Sequence, residues 1–326
     1  MKSQEIEKIP SILREDEIID KAFGRAKKVA KEMYSEGSEK IVVQRKMITI
    51  TSDIISKTLT SSVKKYPSFD NLPKFYRELI DLSIGIDKLK VSLGRVHGVS
   101  KRIKKLSREY ITRMKDERDS VNIRKQFYGR SASMVKKISK DLIFLNEARE
   151  KIRKFPKIDF DCPLIVVSGY PNVGKSCIVN LISSGRPDIA NYPFTTKSIS
   201  VGHFTHGRRR YQVADIPGIL DRPLQKRNEM EKVAILAIKD LADVILHVLD
   251  PTETCGYPME KQLNLLEEVR NTFLLPVLVV ANKLDIKKVE SDIFDISISA
   301  KTGERLEEMT ERLINLVDGD GDLGGL

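Results

Sequence analysis

The chain has 326 residues, 40% of them hydrophobic and 32% charged, with 57 Lys and Arg against 46 Asp and Glu. That length accommodates two domains, and the balance is that of a soluble globular protein, which excludes a disordered or fibrous chain. No apolar run approaches the ~20 residues of a membrane span; the longest, residues 274–281, is strand-sized, so no membrane partner is expected.

Three cysteines, Cys162, Cys177 and Cys255, stand far apart with no CxxC pair, and there are only four histidines. This argues for a reducing compartment, the cytoplasm, and against a disulfide framework or a zinc site. The opening MKSQEIEKIP lacks an apolar stretch behind a basic start and does not read as a secretory signal. The charge is uneven. Residues 1–160 hold 38 Lys and Arg against 22 Asp and Glu, a net of +16, and the remainder has a net of −5. A basic excess confined to one half, densest over residues 101–157, is the footprint of a polyanion-binding module, with nucleic acid as the expected partner.

In chain order, residues 11–155 lack alternation and read as amphipathic helices. The first covers 16–35 and the second 38–65, ended by Tyr66-Pro67. Others follow Leu72-Pro73, cover 99–119, and run over 131–155. In the last, Val135, Ile138, Leu142, Leu145, Ala148 and Ile152 recur on one face, with Lys136, Lys137, Lys140, Lys151 and Lys154 off it. The expectation is a basic all-α bundle over residues 1–156.

After Phe155-Pro156, short β-rich runs alternate with helical patterns: 164–168, 198–205, 211–214, 244–249, 277–281 and 293–298. These imply an α/β domain over residues 157–317 with a mostly parallel sheet covered by helices on both faces. His206-Gly207 reads as a hairpin turn, so one edge strand is expected to be antiparallel. Residues 318–326 read as a flexible tail; their alternating Asp and Gly lack the later Glu of a calcium loop.

The α/β half carries an ordered set of phosphate-binding motifs. Gly169-Tyr-Pro-Asn-Val-Gly174-Lys175-Ser176 fits G-x-x-x-x-G-K-[ST] directly after one strand and before a helix. Gly169, Pro171, Asn172, Val173 and Gly174, with Cys177 at the helix start, would line a phosphate cradle. Lys175 would place its charge on the β- and γ-phosphates, and the Ser176 hydroxyl would ligate Mg²⁺. Asp215-Ile-Pro-Gly218 closes another strand: Asp215 would hold Mg²⁺ and the Gly218 N–H would meet the γ-phosphate. Between them lies Asn191-Tyr-Pro-Phe-Thr195-Thr196-Lys197, where Thr196, in preference to Thr195, would ligate Mg²⁺ only when the γ-phosphate is present.

Base identity is read from Asn282-Lys283-Leu284-Asp285. The Asp285 carboxylate can accept two N–H groups of guanine, a donor pair that adenine lacks. Lys283 would lie against the ring, and Ser299-Ala300-Lys301 would offer a backbone N–H to guanine O6. The set reads as a P-loop GTPase domain using GTP/GDP and Mg²⁺, with Lys175, Thr196 and Gly218 as the catalytic residues.

These ordered boxes resemble a translation-factor-class GTPase. Gly-Tyr-Pro-Asn-Val-Gly-Lys-Ser, Asn-Tyr-Pro-Phe-Thr-Thr-Lys, Val-Gly-His203-Phe and Asp-Ile-Pro-Gly-Ile-Leu-Asp-Arg222-Pro223 resemble the Obg-related group. Within it they resemble the Nog family, the nucleolar GTP-binding proteins and their archaeal relatives. Asp250-Pro-Thr-Glu-Thr-Cys255-Gly256-Tyr257 is similar to that family's stretch after the corresponding strand. The resemblance implies a role in assembling the large ribosomal subunit, with the helical domain on rRNA. The end at Leu326 departs from the longer eukaryotic members and suggests an archaeal-type, minimal version.

Many GTPases place Gln after the D-x-x-G glycine to orient the attacking water; here stand Ile219 and Leu220. Hydrolysis is therefore expected to be slow without a protein or ribosomal activator or a monovalent cation. Asn172 matches the position that ligates K⁺ in some related GTPases. Arg222 reads as an anchor of its loop, His203 and His247 as packing residues, and Cys255 with Gly256 as a turn. Nothing calls for more than a monomer. Two other functions fit the residues: an RNA-binding assembly factor that uses GTP as a structural cofactor with negligible turnover, or a non-ribosomal regulatory GTPase.

Overall fold

In this computed structural model, residues 9–191, 198–216, 239–289 and 291–319 are described. The chain forms two compact units: Leu72–Ser83 together with the chain from Lys154 onward, and the chain up to Asn71 together with Ile84–Arg153.

Among the described residues, six α-helices precede the first strand: α1 (Glu15–Ser35), α2 (Lys40–Lys64), α3 (Lys74–Ser83), α4 (Ile86–Arg113), α5 (Glu117–Lys137) and α6 (Ser139–Ile152). All but α3 build the helical unit. α1 opens on Glu15, Asp16 and Glu17, acidic residues that suit a helix N-terminus, and the Glu17 carboxylate accepts the Arg14 N–H at 2.7 Å. α4 is continuous where the sequence predicts a helix only from residue 99, because Leu89, Val96, Val99, Ile103, Leu106 and Tyr110 form one buried stripe through it. Gly94 and Gly98 are carried along by that packing. The helix expected over 131–155 breaks at Ile138, which closes α5 and opens α6. Its apolar stripe survives the break, since Val135, Ile138, Leu142 and Leu145 are all buried. Between α2 and α4, Ser56 and Ser100 each donate a hydroxyl to the other's carbonyl, at 3.2 and 3.1 Å. Small hydroxylated residues let the two backbones approach closely while keeping these two buried hydroxyls paired.

The other unit is α/β. Its strands are β1 (Leu164–Ser168), β2 (Asp188–Asn191), β3 (Ser198–His206), β4 (Arg209–Asp215), β5 (Val244–Leu249), β6 (Val277–Ala281) and β7 (Ile296–Ser297), in the order β2-β3-β4-β1-β5-β6-β7. α7 (Lys175–Ile182), α8 (Met259–Phe273) and α9 (Leu306–Asp318) accompany them. β4, β1, β5, β6 and β7 pair in parallel. β1 and β5 are buried along their whole length, as a doubly covered sheet requires. β3 is antiparallel to both neighbours, so the antiparallel strand lies one place inside the edge. The edge is β2, which the sequence reading left out. The strand expected over 293–298 shortens to two residues.

Two boundaries differ from expectation. α3 leaves the bundle for the α/β unit: Tyr76 donates its hydroxyl to Pro156 O at 2.9 Å, accepts the Ile158 N–H at 3.1 Å, and meets the Phe160 ring edge-on. Asp318, expected to begin the tail, is instead the last residue of α9, where it pairs with Arg209 and accepts the Tyr211 hydroxyl at 3.1 Å.

Candidate functional site

The site lies at the carboxyl ends of β1, β4, β5 and β6. Gly169 leaves β1 with φ +134°, and a Cβ there would sit 2.3 Å from Val248 O. Gly174 has φ +107°, and its Cβ would sit 2.1 Å from Asn282 Nδ2. Neither position accepts a side chain, so the glycines of the motif are required by packing as well as by backbone conformation. Between them Asn172 is exposed at φ +65° and Val173 is buried. α7 starts immediately after Gly174, so the N–H groups of its first turn face the loop. Lys175 is only 7% exposed. Its ammonium donates to Gly169 O at 2.8 Å and Tyr170 O at 2.7 Å, lying across the loop it belongs to.

The parallel pairing of β1 with β4 sets Asp215 opposite Val167. There Asp215 is buried, and its Oδ2 accepts the Ser176 hydroxyl at 2.5 Å. A hydroxyl and a carboxylate meeting beside the 169–176 loop are hard oxygen donors of the kind suited to Mg²⁺, which takes one or two protein ligands and fills its octahedron with phosphate and water. Among the described residues no three His, Cys, Asp or Glu side chains gather around a metal position. Thr196 and Gly218, with Ile219 and Arg222, lie outside the described residues.

The third part is built around Asn282, 4% exposed. Its Nδ2 donates to Val173 O at 2.8 Å and its Oδ1 accepts the Ala300 N–H at 2.9 Å. It therefore joins the phosphate loop to the 299–301 loop, a brace between the parts that would hold phosphates and base. Asp285 is exposed, and its Oδ1 accepts the Ser299 hydroxyl at 2.7 Å. Lys301 stands 3.9 Å from its Oδ2. Cys177, exposed on α7, directs its thiol to Ala300 O at 3.4 Å. The sequence-predicted residues of the phosphate loop, Asp215, Asn282, Asp285 and the 299–301 loop thus gather at one end of the sheet.

One residue next to these loops has no role assigned from the sequence. Asp250, at the end of β5, is fully buried and pairs with Lys283 Nζ at 2.6 Å, while Lys283 also donates to Thr254 Oγ1 at 2.7 Å. Burial alone would raise this carboxyl. The Lys283 ammonium, the Thr252 hydroxyl and the N–H groups of Cys255 and Thr252 outweigh it and hold the carboxyl below its ordinary range. The signal in the sequence was the D-x-T-x-T spacing, which lets two hydroxyls fold back onto one carboxylate. His247, read from the sequence as a packing residue, is fully buried on β5, in register with Ser168 and 3.1 Å from its hydroxyl. Burial and the Lys175 charge push this imidazole down to about 3. Cys255 and Gly256 do form a turn, with Gly256 at φ +89° and its N–H donated to Glu253 O.

The helical unit carries the basic surface. Lys101, Lys104, Lys105 and Arg108 recur at helical spacing on the exposed side of α4, and Lys125, Arg130, Lys136 and Lys137 are exposed on α5. Arg113 and Arg130 flank the Tyr110 ring at 5.0 and 5.9 Å, joining the two helices' charges.

Comparison with known proteins follows the same division. Residues 6–159 match the NOG1 N-terminal helical domain, and residues 164–283 match the 50S ribosome-binding GTPase family. An uncharacterised protein of Methanocaldococcus jannaschii is 39% identical over 86% of this chain and 80% of its own length. Nucleolar GTP-binding protein 1 of Encephalitozoon cuniculi is 33% identical over 83% of this chain and 52% of its own. The Saccharomyces cerevisiae protein of the same name is 29% identical over 86% and 45%. The chain thus spans about half the length of those two named relatives.

Proposed function

The chain belongs to the nucleolar GTP-binding protein family of Obg-related GTPases, and we propose that it is a GTP-timed switch in assembly of the large ribosomal subunit. Membership makes it a GTP-binding protein with a GTPase domain. The finer reading is that GTP and GDP sit on the 169–176 loop with the base on Asn282, Lys283, Asp285 and Ser299-Ala300-Lys301. The observation that carries it is the Asn282 brace, with Nδ2 on Val173 O and Oδ1 on the Ala300 N–H, which ties phosphate loop and base loop into one unit.

In this mechanism Lys175 offsets the charge on the β- and γ-phosphate oxygens. Hydrogen bonds from the loop N–H groups keep the γ-phosphorus in line for attack by water, giving GDP and phosphate. Ser176, Asp215 and, in the GTP state, Thr196 would hold Mg²⁺. That ion would supply charge neutralisation across the β- and γ-phosphates. Gly218 would report the γ-phosphate through its N–H. Ile219 cannot hydrogen-bond water, so turnover is slow until an activator completes the site, an effect that can reach ~10⁵ in rate. The activator is a protein, the ribosomal particle itself, or K⁺ at Asn172; equal rates in K⁺ and Na⁺ would dismiss the last.

The helical unit docks on rRNA. Its exposed Lys and Arg on α4 and α5 support that assignment, and the ribosome-binding description of the GTPase family matched by residues 164–283 supports the ribosomal setting. The protein acts as a cytoplasmic monomer, and no described helix is long and apolar enough to cross a membrane. A second reading, GTP as a structural cofactor with negligible turnover, is favoured by Ile219 alone; phosphate release over many turnovers separates the two. A non-ribosomal regulatory GTPase is the remaining alternative.

The test is association of the full chain with large ribosomal subunits or their precursors, in GDP and in a non-hydrolysable GTP analogue. Tighter binding with the analogue is expected. K175A, which should lose nucleotide, removes the difference between the two states. Absence of binding in either state, with nucleotide affinity intact, discards the ribosomal role.

A further inference from the structure

We propose that Asp250 is a positioning residue for guanine-nucleotide binding, which it serves by fixing the side chain of Lys283 before the ligand arrives. The inference rests on the reading that Asn282-Lys283-Leu284-Asp285 takes the base, and it adds a residue from a different strand and loop to that site.

Asp250 is held as a fixed charge. Its backbone is gripped by the buried Gln262 of α8, whose Oε1 accepts the Asp250 N–H at 2.7 Å and whose Nε2 donates to its carbonyl at 3.0 Å. Its carboxylate is saturated. Oδ1 accepts the Thr252 N–H at 3.0 Å and the Thr252 hydroxyl at 2.5 Å. Oδ2 accepts the Cys255 N–H at 2.8 Å, the Thr254 hydroxyl at 3.1 Å and Lys283 Nζ at 2.6 Å. Five donors on about four lone-pair directions leave the group no freedom to turn. Were Lys283 to swing away, a fully buried carboxylate would lose its counter-charge, which is strongly unfavourable.

Lys283 itself is constrained at both ends. Its backbone is left-handed, at φ +73°, an unusual state for a lysine. It is kept there by Asn282 on one side and by the Leu284 N–H on Ile298 O at 3.0 Å on the other. Its ammonium is tied to Asp250 and Thr254, and its side chain is 19% exposed. A lysine stem free in solution must be ordered when a ligand packs on it. Here the ordering is done within the fold, and the ligand does not bear it. Lys283 stands between Asn282, which braces the phosphate loop, and the segment carrying Asp285, so the Asp250 anchor sets one side of the base site.

The experiment is a double-mutant cycle on the full chain, with GDP dissociation constants measured by titration calorimetry for D250N, K283M and D250N/K283M. D250N and K283M should each weaken GDP about tenfold, and the double variant should be no weaker than K283M, because Asp250 acts through Lys283. T254V, at an exposed position and nearly isosteric, removes the second acceptor of the ammonium. It should weaken GDP about threefold in the wild-type background and have no effect in the K283M background. This variant keeps the test decisive if D250N fails to fold. Losses for D250N and K283M that multiply to about a hundredfold, T254V effects equal in both backgrounds, or wild-type affinity in D250N would overturn the proposal. D285N serves as the separate arm: it should shift preference from GDP to xanthosine diphosphate. Retained guanosine preference in D285N would refute the base-reading assignment itself, whereas additive cycles beside a switched D285N would refute only the role of Asp250.

Discussion

Gly174 and Asn282 meet so closely that a single methyl group decides whether the site closes. G174A would place a carbon 2.1 Å from the amide that bridges to Val173, at a φ of +107° that alanine resists. We expect at least a tenfold loss of GDP affinity, on the order of 1.4 kcal/mol or more, together with a lower Tm; wild-type calorimetric titration of G174A would show that the loop tolerates the shift. His247 makes a different statement. Its folded-state value near 3 lies below the ordinary 6.5, because burial and the Lys175 charge oppose protonation. Its contribution to stability is therefore full above about pH 6.5 and is lost as pH falls toward 3, at up to about 1.4 kcal/mol per pH unit. H247Q should flatten that acid limb, which urea unfolding at pH 7 and at pH 4 measures. An unchanged pH slope would mean that other groups carry it.

Among elements, α3 shows how tertiary packing reassigns a helix. Its periodicity predicts an amphipathic helix but does not say which core its face enters. Phe75, Tyr76, Leu79 and Ile80 are buried, and the Tyr76 hydroxyl is fixed between Pro156 O and the Ile158 N–H of the α/β unit. Y76F should cost about 1–3 kcal/mol by leaving a buried N–H and carbonyl without this partner, read as a lower denaturation midpoint. A fragment starting at residue 157 should be less stable than one that keeps α3. The other misread elements have similarly plain causes. The break at Ile138 leaves the apolar period intact and so has no pattern to betray it. β2 is four residues long and sits at the edge, where one exposed Ile189 replaces the buried run that marks a central strand.

For the whole molecule, the separation of charge is the feature with functional reach. A helical unit rich in exposed Lys and Arg in the same chain as an α/β unit of opposite net sign suits a protein that grips a polyanion with one part and times the contact with the other. Binding to rRNA should weaken steeply with salt, with a log–log slope of about −0.7 to −0.9 per phosphate neutralised. Reversing Lys101, Lys104, Lys105 and Arg108 to Glu should reduce both affinity and slope while leaving GDP affinity unchanged. A flat salt response of the wild-type chain would remove the RNA-docking role.

The sequence by itself determined the helical and α/β parts of the chain and the order of the motifs proposed to take phosphate, metal and base. Each of these is written locally: a strand-sized apolar run, a glycine-spaced loop, a helix start, a strand end. The same local grammar marks the Thr252 and Thr254 hydroxyls that fold back onto Asp250, but not its ion partner: Lys283 lies 33 residues on, and a buried carboxylate is chosen by the ammonium that meets it in space. Nor could it show that Asn282 faces inward as a brace, since its two partners come from loops brought together only by the β1-β5-β6 order of the sheet. Short-range pattern selects the elements and places motifs at their ends. Which groups then meet, and which helix serves which core, is settled by the pairing of strands and the burial of apolar faces across long stretches of chain.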